Sequence, residues 1–591
     1  MNKSEDNTWK PADSKLFTRW SKNVDPSNPL PEYPRPQLTR KEWMNLNGLW
    51  DYAVTSRKTE HVIDYQGMIL VPYPIESALS GVGRKLSPKE NLIYRKFFTV
   101  PQEWKGRNII LHFGAVDWQT KVYVNGNLVG MHTGGYLPFS FDISSSLIQD
   151  GEQELRVVVW DPTDKGKQER GKQSLKPRIV FYTAVSGIWQ TVWIEPVQET
   201  YVKNVRILPD IDESKINIQT EIQGEEDSIR LRIVDPSDKS VVTDIEGTLD
   251  EDIQLEFPKL WSPDSPFLYD LVITVLKNGN VVDEVHSYFA MRKISVEKDA
   301  DGIPRLALNN DISFQYGPLD QGYWPDGLYT APTDEALRYD VEIMKELGFN
   351  MVRKHVKIEP LRWYYHCDRL GLLVWQDMPN GGSFSVLTYK FEVQQGRGNS
   401  EVRDQYVKEL KEMIDALYNS PSIVMWVPFN EGWGQFDTEN IVDMIRKWDS
   451  SRLINEASGW FDKGSGDIAD AHNYPEPVMP NVEEYRVSIL GEFGGLGLLD
   501  DPHTWHPNKL FGIKKYYHGF NKSLDEEELT NKYLNLLQEL KELNPKGLSA
   551  AVYTQLTDIE GEVNGYLTYD REIIKMTKDK LVQVHDELLN H

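Results

Sequence analysis

Two glutamates stand where apolar strands end. Glu431 follows Ile423-Val-Met-Trp-Val-Pro in the segment Phe429-Asn-Glu-Gly-Trp, and Glu492 follows Val487-Ser-Ile-Leu-Gly and precedes Phe493-Gly-Gly. A single carboxylate at a strand end usually caps the next helix or is simply solvated. Two of them on strands that face one another suit a different task. In retaining glycosidases two carboxyl groups about 5–5.5 Å apart divide the work, one attacking the anomeric carbon while the other moves a proton. Asn430, directly before Glu431, is suited to bond a hydroxyl beside the anomeric centre. That makes Glu431 the general acid/base and leaves Glu492, ionised, as the nucleophile.

The elements that must position these groups are legible in the periodicity. From about Ile303 short apolar strands alternate with amphipathic helical stretches, the signature of parallel βα units. Eight strands are predicted: Ile312–Tyr316, Met351–Lys354, Leu372–Trp375, Ile423–Pro428, Leu453–Glu456, Ile468–His472, Val487–Leu490 and Ala550–Thr554. Helices are expected over Thr333–Leu347, Val402–Leu417, Thr438–Trp448 and Leu524–Leu543. Eight such units imply a (β/α)8 TIM barrel whose functional groups lie on loops after the strand ends. Upstream the rhythm is all β. Segments such as Gly48-Leu-Trp-Asp-Tyr-Ala-Val and Glu154-Leu-Arg-Val-Val-Val-Trp, with a hairpin turn at Asn125-Gly126, predict a β-sandwich, and Ser228-Ile-Arg-Leu-Arg-Ile-Val and Tyr269-Asp-Leu-Val-Ile-Thr-Val-Leu predict an immunoglobulin-like one. The expected division is a leader over 1–45, sandwiches over 46–198 and 199–296, and the barrel over 297–591.

With these pieces in place the chain resembles glycoside hydrolase family 2, which contains β-galactosidases, β-glucuronidases and β-mannosidases. The resemblance rests on Leu46-Asn-Gly-Leu-Trp-Asp, Tyr123-Val-Asn-Gly and Gly187-Ile-Trp-Gln, and on Leu347-Gly-Phe-Asn-Met-Val-Arg and Cys367-Asp-Arg-Leu-Gly-Leu-Leu-Val. It continues through Asn430-Glu431, Gly491-Glu-Phe-Gly and Asn564-Gly-Tyr-Leu-Thr-Tyr-Asp-Arg. It implies that the first sandwich is a jelly-roll-like sugar-binding domain, that Glu431 and Glu492 are the acid/base and the nucleophile, and that Asn430 contacts a 2-hydroxyl. Tyr474, in Ala471-His-Asn-Tyr-Pro, looks like the family's tyrosine beside the nucleophile, and Arg353 like an arginine that keeps the nucleophile charged. His472 joins them as a substrate-binding candidate.

Departures from the family pattern bear on the substrate. After strand two the chain reads Arg353-Lys-His-Val-Lys, with the histidine one residue closer to the arginine than usual, so for His355 both a place in the site and a plain surface or supporting role stay open. The Asn-x-Lys clamp for a uronate carboxylate has no match near Asn564-Gly-Tyr. Gln555 replaces the usual tryptophan ending strand eight, and its loop is expected to shape the sugar pocket together with Trp324, Trp433 and Trp460. No Glu-x-His segment follows strand three, and no other carboxylate/His cluster has ligand spacing, so neither a metal nor any other cofactor is expected.

Composition narrows the partners. With 65 Lys+Arg against 90 Asp+Glu the 591-residue chain carries −25 at pH 7, a field that repels nucleic acid and anionic lipid. A carbohydrate is the expected partner, with a homo-oligomer left open. The lone Cys367 allows no internal disulfide. The N-terminus has no signal-like apolar run, so a soluble protein is expected, periplasmic or secreted if a signal was removed and otherwise cytoplasmic. The reading is a retaining exo-β-glycosidase acting on a terminal β-linked, galactose-like sugar. A β-glucuronidase or other family specificity, a non-catalytic carbohydrate-binding relative, and a transglycosylase are the competing readings.

Overall fold

A computed structural model of the chain describes residues 9–178, 180–226, 228–382, 397–500, 502–505 and 525–590. Met1–Thr8 of the leader and Leu524, the first residue of the last predicted helix, lie outside the described residues. The first β block pairs a six-stranded antiparallel sheet, including Gly48–Ser56, Glu90–Thr99 and Glu152–Trp160, with a four-stranded sheet that includes Asn108–Phe113 and Val192–Val197. Inward-pointing Trp50, Tyr94, Leu111, Val157 and Ile194 fill the space between them, as period-two alternation requires. The hairpin turn takes φ of 49° at Asn125 and 81° at Gly126, the two positive angles its sequence predicts. The second block packs Tyr201–Asp210, Lys215–Gln223 and Asp250–Gln254 against a four-stranded sheet built around Ser228–Val234 and Tyr269–Lys277.

Eight parallel strands follow: β1 (Gln315–Asp320), β2 (Met351–Lys354), β3 (Leu373–Asp377), β4 (Ile423–Val427), β5 (Leu453–Ile454), β6 (Ile468–His472), β7 (Val487–Gly494) and β8 (Leu548–Thr554). Their order, β5-β4-β3-β2-β1-β8-β7-β6, is that of a barrel open at one seam. One backbone bond, Asp467 N to Ile454 O at 2.9 Å, crosses the seam, and side chains add to it: Asp467 accepts from Ile454 N at 2.8 Å, and Asp470 accepts from Asn455 Nδ2 at 2.7 Å and Ser458 Oγ at 2.6 Å. Helices α1 (Asp334–Glu346), α2 (Leu361–Leu370), α3 (Ser400–Leu417), α4 (Thr438–Trp448), α5 (Glu526–Leu543) and α6 (Lys578–Leu589) surround it. Thr333 caps α1 by accepting from Ala336 N at 3.1 Å, and α2 stops at Gly371, whose φ of 75° and close approach to Pro263 O exclude any other side chain. The buried Cys367 on α2 is a free thiol. No described helix is long and apolar enough to cross a membrane.

The expected first strand needs correction. Ile312 lies in a short hairpin strand, Asp311–Ile312, paired with Ala307 and Leu308, and β1 begins at Gln315. The physical reason is the turn Asn309-Asn310, where both residues adopt positive φ (56° and 73°). It folds the chain back and spends the alternation of Ile312-Ser-Phe on a hairpin. That hairpin packs Leu306 and Leu308 beneath the strand starts, against Met351, Leu373, Ile468 and Val487, so the N-terminal end of the barrel is plugged with apolar side chains. Each such side chain, fully buried, contributes about 1.5–3 kcal/mol. The buried charged groups of the barrel interior, Arg353, Asp377 and Glu492, lie toward the C-terminal mouth.

Candidate active site

Strand alternation decides which residues reach that mouth. Met351 faces the barrel interior, so Arg353, two residues on, does too. By the same spacing Leu373 and Trp375 lead to Asp377, and Ile468 leads through Asp470 to His472. The register of β7 against its neighbours shifts around Leu490, and Glu492 emerges into the same space.

Arg353 is the hub. Fully buried, it donates to Asp377 through Nε (3.0 Å) and Nη2 (2.9 Å), to Asn430 Oδ1 (2.8 Å), to Gly491 O (3.1 Å) and to Glu492 Oε1 (3.3 Å). Glu492 also accepts from Tyr474 Oη at 2.5 Å, and Tyr474 in turn meets Thr554 Oγ1 at 2.8 Å. Burial alone would raise the Glu492 carboxyl, but the charges of His472, Arg353 and Lys172 and the Tyr474 hydroxyl together hold it below the ordinary carboxylate range. Asp377 goes the other way. Burial outweighs its pairing with Arg353 and pushes it up to about 6.

Glu431 sits at the rim with its side chain 18% exposed, against 7% for Glu492. Its backbone takes φ of 52°, a left-handed conformation that costs a non-glycine residue about 1–3 kcal/mol and concentrates at functional sites. The surroundings hold it there: Glu431 N donates to Ser458 O and Ser458 N to Phe429 O, each at 2.9 Å. Ser458 Oγ lies 2.8 Å from His472 Nε2, and His472 Nδ1 lies 3.0 Å from Glu431 Oε1. Burial would lower the imidazole, yet the negative charge of Glu492, the bond to Glu431 and the charge of Asp470 raise it. One ligand-capable atom from each of Glu431, His472 and Glu492 lies within 4.8 Å of the others, the one such cluster among the described residues.

The remaining candidates divide. Trp460 lies 5.7 Å from the His472 ring, and Trp433 stacks at 5.5 Å on Phe181 of the first sandwich, so both border the mouth. Trp324 does not. It is 1% exposed, packed edge-on against Trp20 and capped by the Arg571 guanidinium at 3.9 Å, so its expected place in the pocket is corrected to the core. Gln555 is buried with both amide ends engaged, accepting from Gln321 at 2.6 Å and donating to Asn564 at 2.7 Å. Gln321 Oε1 lies 3.3 Å from His355 Nδ1, so Gln555 reaches the site through this chain of amides. His355, left open above, is buried with Nε2 3.5 Å from Glu492 Oε1, and burial, then Lys172 and Arg353, hold its imidazole well below the ordinary value. Asp377, Ser458 and Lys172 were not singled out from sequence. Asp377 carried a usable signal, a carboxylate at a strand end; Lys172, in a loop of the first sandwich, carried none.

Family models match the chain in three consecutive blocks: the sugar binding domain of glycosyl hydrolases family 2 over 51–194, the family's second block over 200–292 and its TIM barrel domain over 331–485. The chain belongs to glycosyl hydrolases family 2. The family 2 barrel match ends before Glu492, whose place in the site therefore stands on geometry. Curated relatives include a β-galactosidase of Thermoanaerobacter pseudethanolicus, 30% identical over 67% of this chain and 53% of that protein. A β-glucuronidase of Paenibacillus borealis is 24% identical over 71% of this chain and 74% of that one. The chain spans about half the length of the first β-galactosidases it matches. Among solved structures, β-glucuronidases of Ruminococcus gnavus (TM-score 0.74, covering 93% of this chain and 99% of that one) and Dictyoglomus thermophilum (0.72, 94% and 98%) share the fold, each at 19% identity.

Proposed function

We propose that this family 2 chain is a retaining exo-β-glycosidase that releases a terminal β-linked sugar by double displacement. The observation that carries the reading is that one carboxylate oxygen of Glu431 lies within 4.8 Å of one of Glu492. This is close to the roughly 5–5.5 Å of a covalent mechanism and short of the roughly 6.5–9.5 Å that an inverting enzyme needs to fit a water. Glu492, held charged by His472 and Arg353 and oriented by Tyr474, attacks the anomeric carbon. Glu431, at the open rim, gives its proton to the departing oxygen and then takes one from the incoming water. Asn430 has its amide oxygen bound to Arg353, which turns its NH2 group to a sugar hydroxyl. Trp433 and Trp460 supply aromatic surface for the sugar. The family pattern in the sequence and the β-galactosidase relatives support a galactose-like ring. The β-glucuronidases among the relatives support a uronate as the second reading.

Azide separates the two glutamates. With Glu431→Ala, an activated aryl glycoside still forms the glycosyl-enzyme, and azide attacks it from the vacated face to give a β-glycosyl azide. With Glu492→Ala, azide replaces the nucleophile and gives the α-azide. The opposite pattern exchanges the two roles, and equal, mild losses in both variants without azide products remove the catalytic pair.

A further inference from the structure

We propose that Lys172, carried into the barrel mouth on a basic strap of the first sandwich, reads an anionic substituent, a carboxylate or a sulfate ester, on the terminal sugar. This rests on the glycosidase reading and names its substrate class: the charged end of an anionic glycan.

The strap is unusual for a chain of net charge −25. Between 163 and 178 it holds Lys165, Lys167, Arg170, Lys172, Lys176 and Arg178 against only Asp164 and Glu169. Because fields are screened beyond about 8–10 Å in physiological salt, a ligand in the mouth meets this local charge more strongly than the distant acidic surface. The strap is fastened to the barrel at several points. Arg170 N and Gly171 N donate to Asn380 O at 2.8 and 2.9 Å, Arg170 Nη1 donates to Gly382 O at 2.8 Å, and Glu169 pairs with Arg397. Gly171 has a φ of 57°, and a Cβ there would lie 2.7 Å from Val356 O. The backbone therefore lies directly on the loop after β2, next to His355.

This geometry delivers the next residue, Lys172, to the site with little freedom. The residue is 9% exposed. Its amine lies over the Tyr182 ring at 5.8 Å, and the Tyr182 hydroxyl accepts from Gln321, the partner of His355. Its charge is felt at both Glu492 and His355, after burial and, at Glu492, after His472 and Arg353. Lys165 in the same strap pairs with Asp164. Lys172 has no ion-pair partner among the described residues. An ammonium that no carboxylate pairs with is free to bind a counter-charge, and the mouth of the barrel is where one can arrive. Arg178 marks the outer end of the same rim, backbone-paired at 3.0 and 3.1 Å with Phe181, whose ring stacks on Trp433.

The test compares kcat/KM for 4-nitrophenyl β-D-galactoside with that for the β-D-glucuronide, the β-D-galacturonide and the β-D-galactoside 6-sulfate. At least one anionic substrate should exceed the neutral one by about tenfold or more, the size of one charge-assisted contact. A uronide or the sulfate in first place tells carboxylate from sulfate. In Lys172→Met the ratio of the best anionic substrate to the neutral one should fall roughly 10- to 100-fold, and Lys172→Arg should retain part of it. A wild-type preference for the neutral galactoside overturns the proposal. So does an unchanged ratio in Lys172→Met, which would make Lys172 a support of Glu492 alone. Either result leaves the glycosidase reading standing; that reading fails separately if no glycoside is turned over or if Glu492→Ala costs nothing.

Discussion

Arg353→Lys probes the electrostatics of the site without emptying it. Arg353→Met would strand Asp377 as a buried, unpaired carboxylate, at a cost of about 3–5 kcal/mol, and would confuse unfolding with catalysis. Lysine keeps the charge, but a three-donor ammonium cannot span Asp377, Asn430, Gly491 and Glu492 as the planar guanidinium does. The bidentate hold on Asp377 at 2.9 and 3.0 Å is the strongest claim on the new amine, so the 3.3 Å bond to Glu492 is the one lost. A charge-assisted bond of about 1.5–3 kcal/mol corresponds to roughly 10- to 100-fold in kcat/KM. A second effect is directional. Burial already pushes Glu492 up and only His472, Arg353 and Lys172 with the Tyr474 bond hold it down, so weakening Arg353 raises its pKa. In the proposed double displacement Glu492 must be ionised, so activity is lost as pH falls through that pKa, and the acid limb of the kcat/KM profile should move to higher pH. The assay is a pH series on an aryl β-glycoside, with thermal melting to show that the fold survives. An acid limb that stays in place in a well-folded variant would refute the reasoning.

Tyr474→Phe removes the 2.5 Å bond to Glu492 while keeping the ring; kcat/KM should drop roughly 10- to 100-fold with little change in melting temperature, and unimpaired kinetics would exclude Tyr474 from the site. Asp368→Asn should stabilise the protein. Burial pushes this carboxyl up to about 6 from 3.8, so the folded state holds a proton that the unfolded chain has lost across that window, and stability falls as pH rises through it by up to about 3 kcal/mol. Asparagine can keep the contacts to Ser422 N and the Tyr288 hydroxyl, so melting above pH 6 should rise and the slope between about pH 4 and 6 should flatten; an unaltered slope would contradict the assignment. Chelators should leave the rate unchanged, because His472 Nδ1 is engaged with Glu431 Oε1 at 3.0 Å and its Nε2 with Ser458 Oγ at 2.8 Å, and the two glutamates have their roles in the proposed double displacement. Loss in EDTA restored by a divalent cation would turn the Glu431, His472 and Glu492 cluster into a metal site.

What the sequence determined by itself was local. Period-two strands, capped helices and the Asn125-Gly126 turn depend on neighbours a few residues away, so the two sandwiches and seven of the eight barrel strands could be placed, and Glu431 and Glu492 could be named as strand-end carboxylates. The first strand was misplaced because Ile312 alternates as well in a hairpin as in a barrel, and only the packing beneath the strand starts tells them apart. Everything that depends on contact between distant segments was decided by tertiary structure. Arg353 meets Glu492 across 139 residues, and closure of the barrel is what makes them neighbours. His355 and Trp324 are each a single aromatic side chain near a strand end in sequence, yet one faces Glu492 and the other is sealed between Trp20 and Arg571. Lys172 belongs to a different domain from the carboxylates it influences. Its role follows from where the strap is fastened to the loop after β3, and no spacing along the chain encodes that.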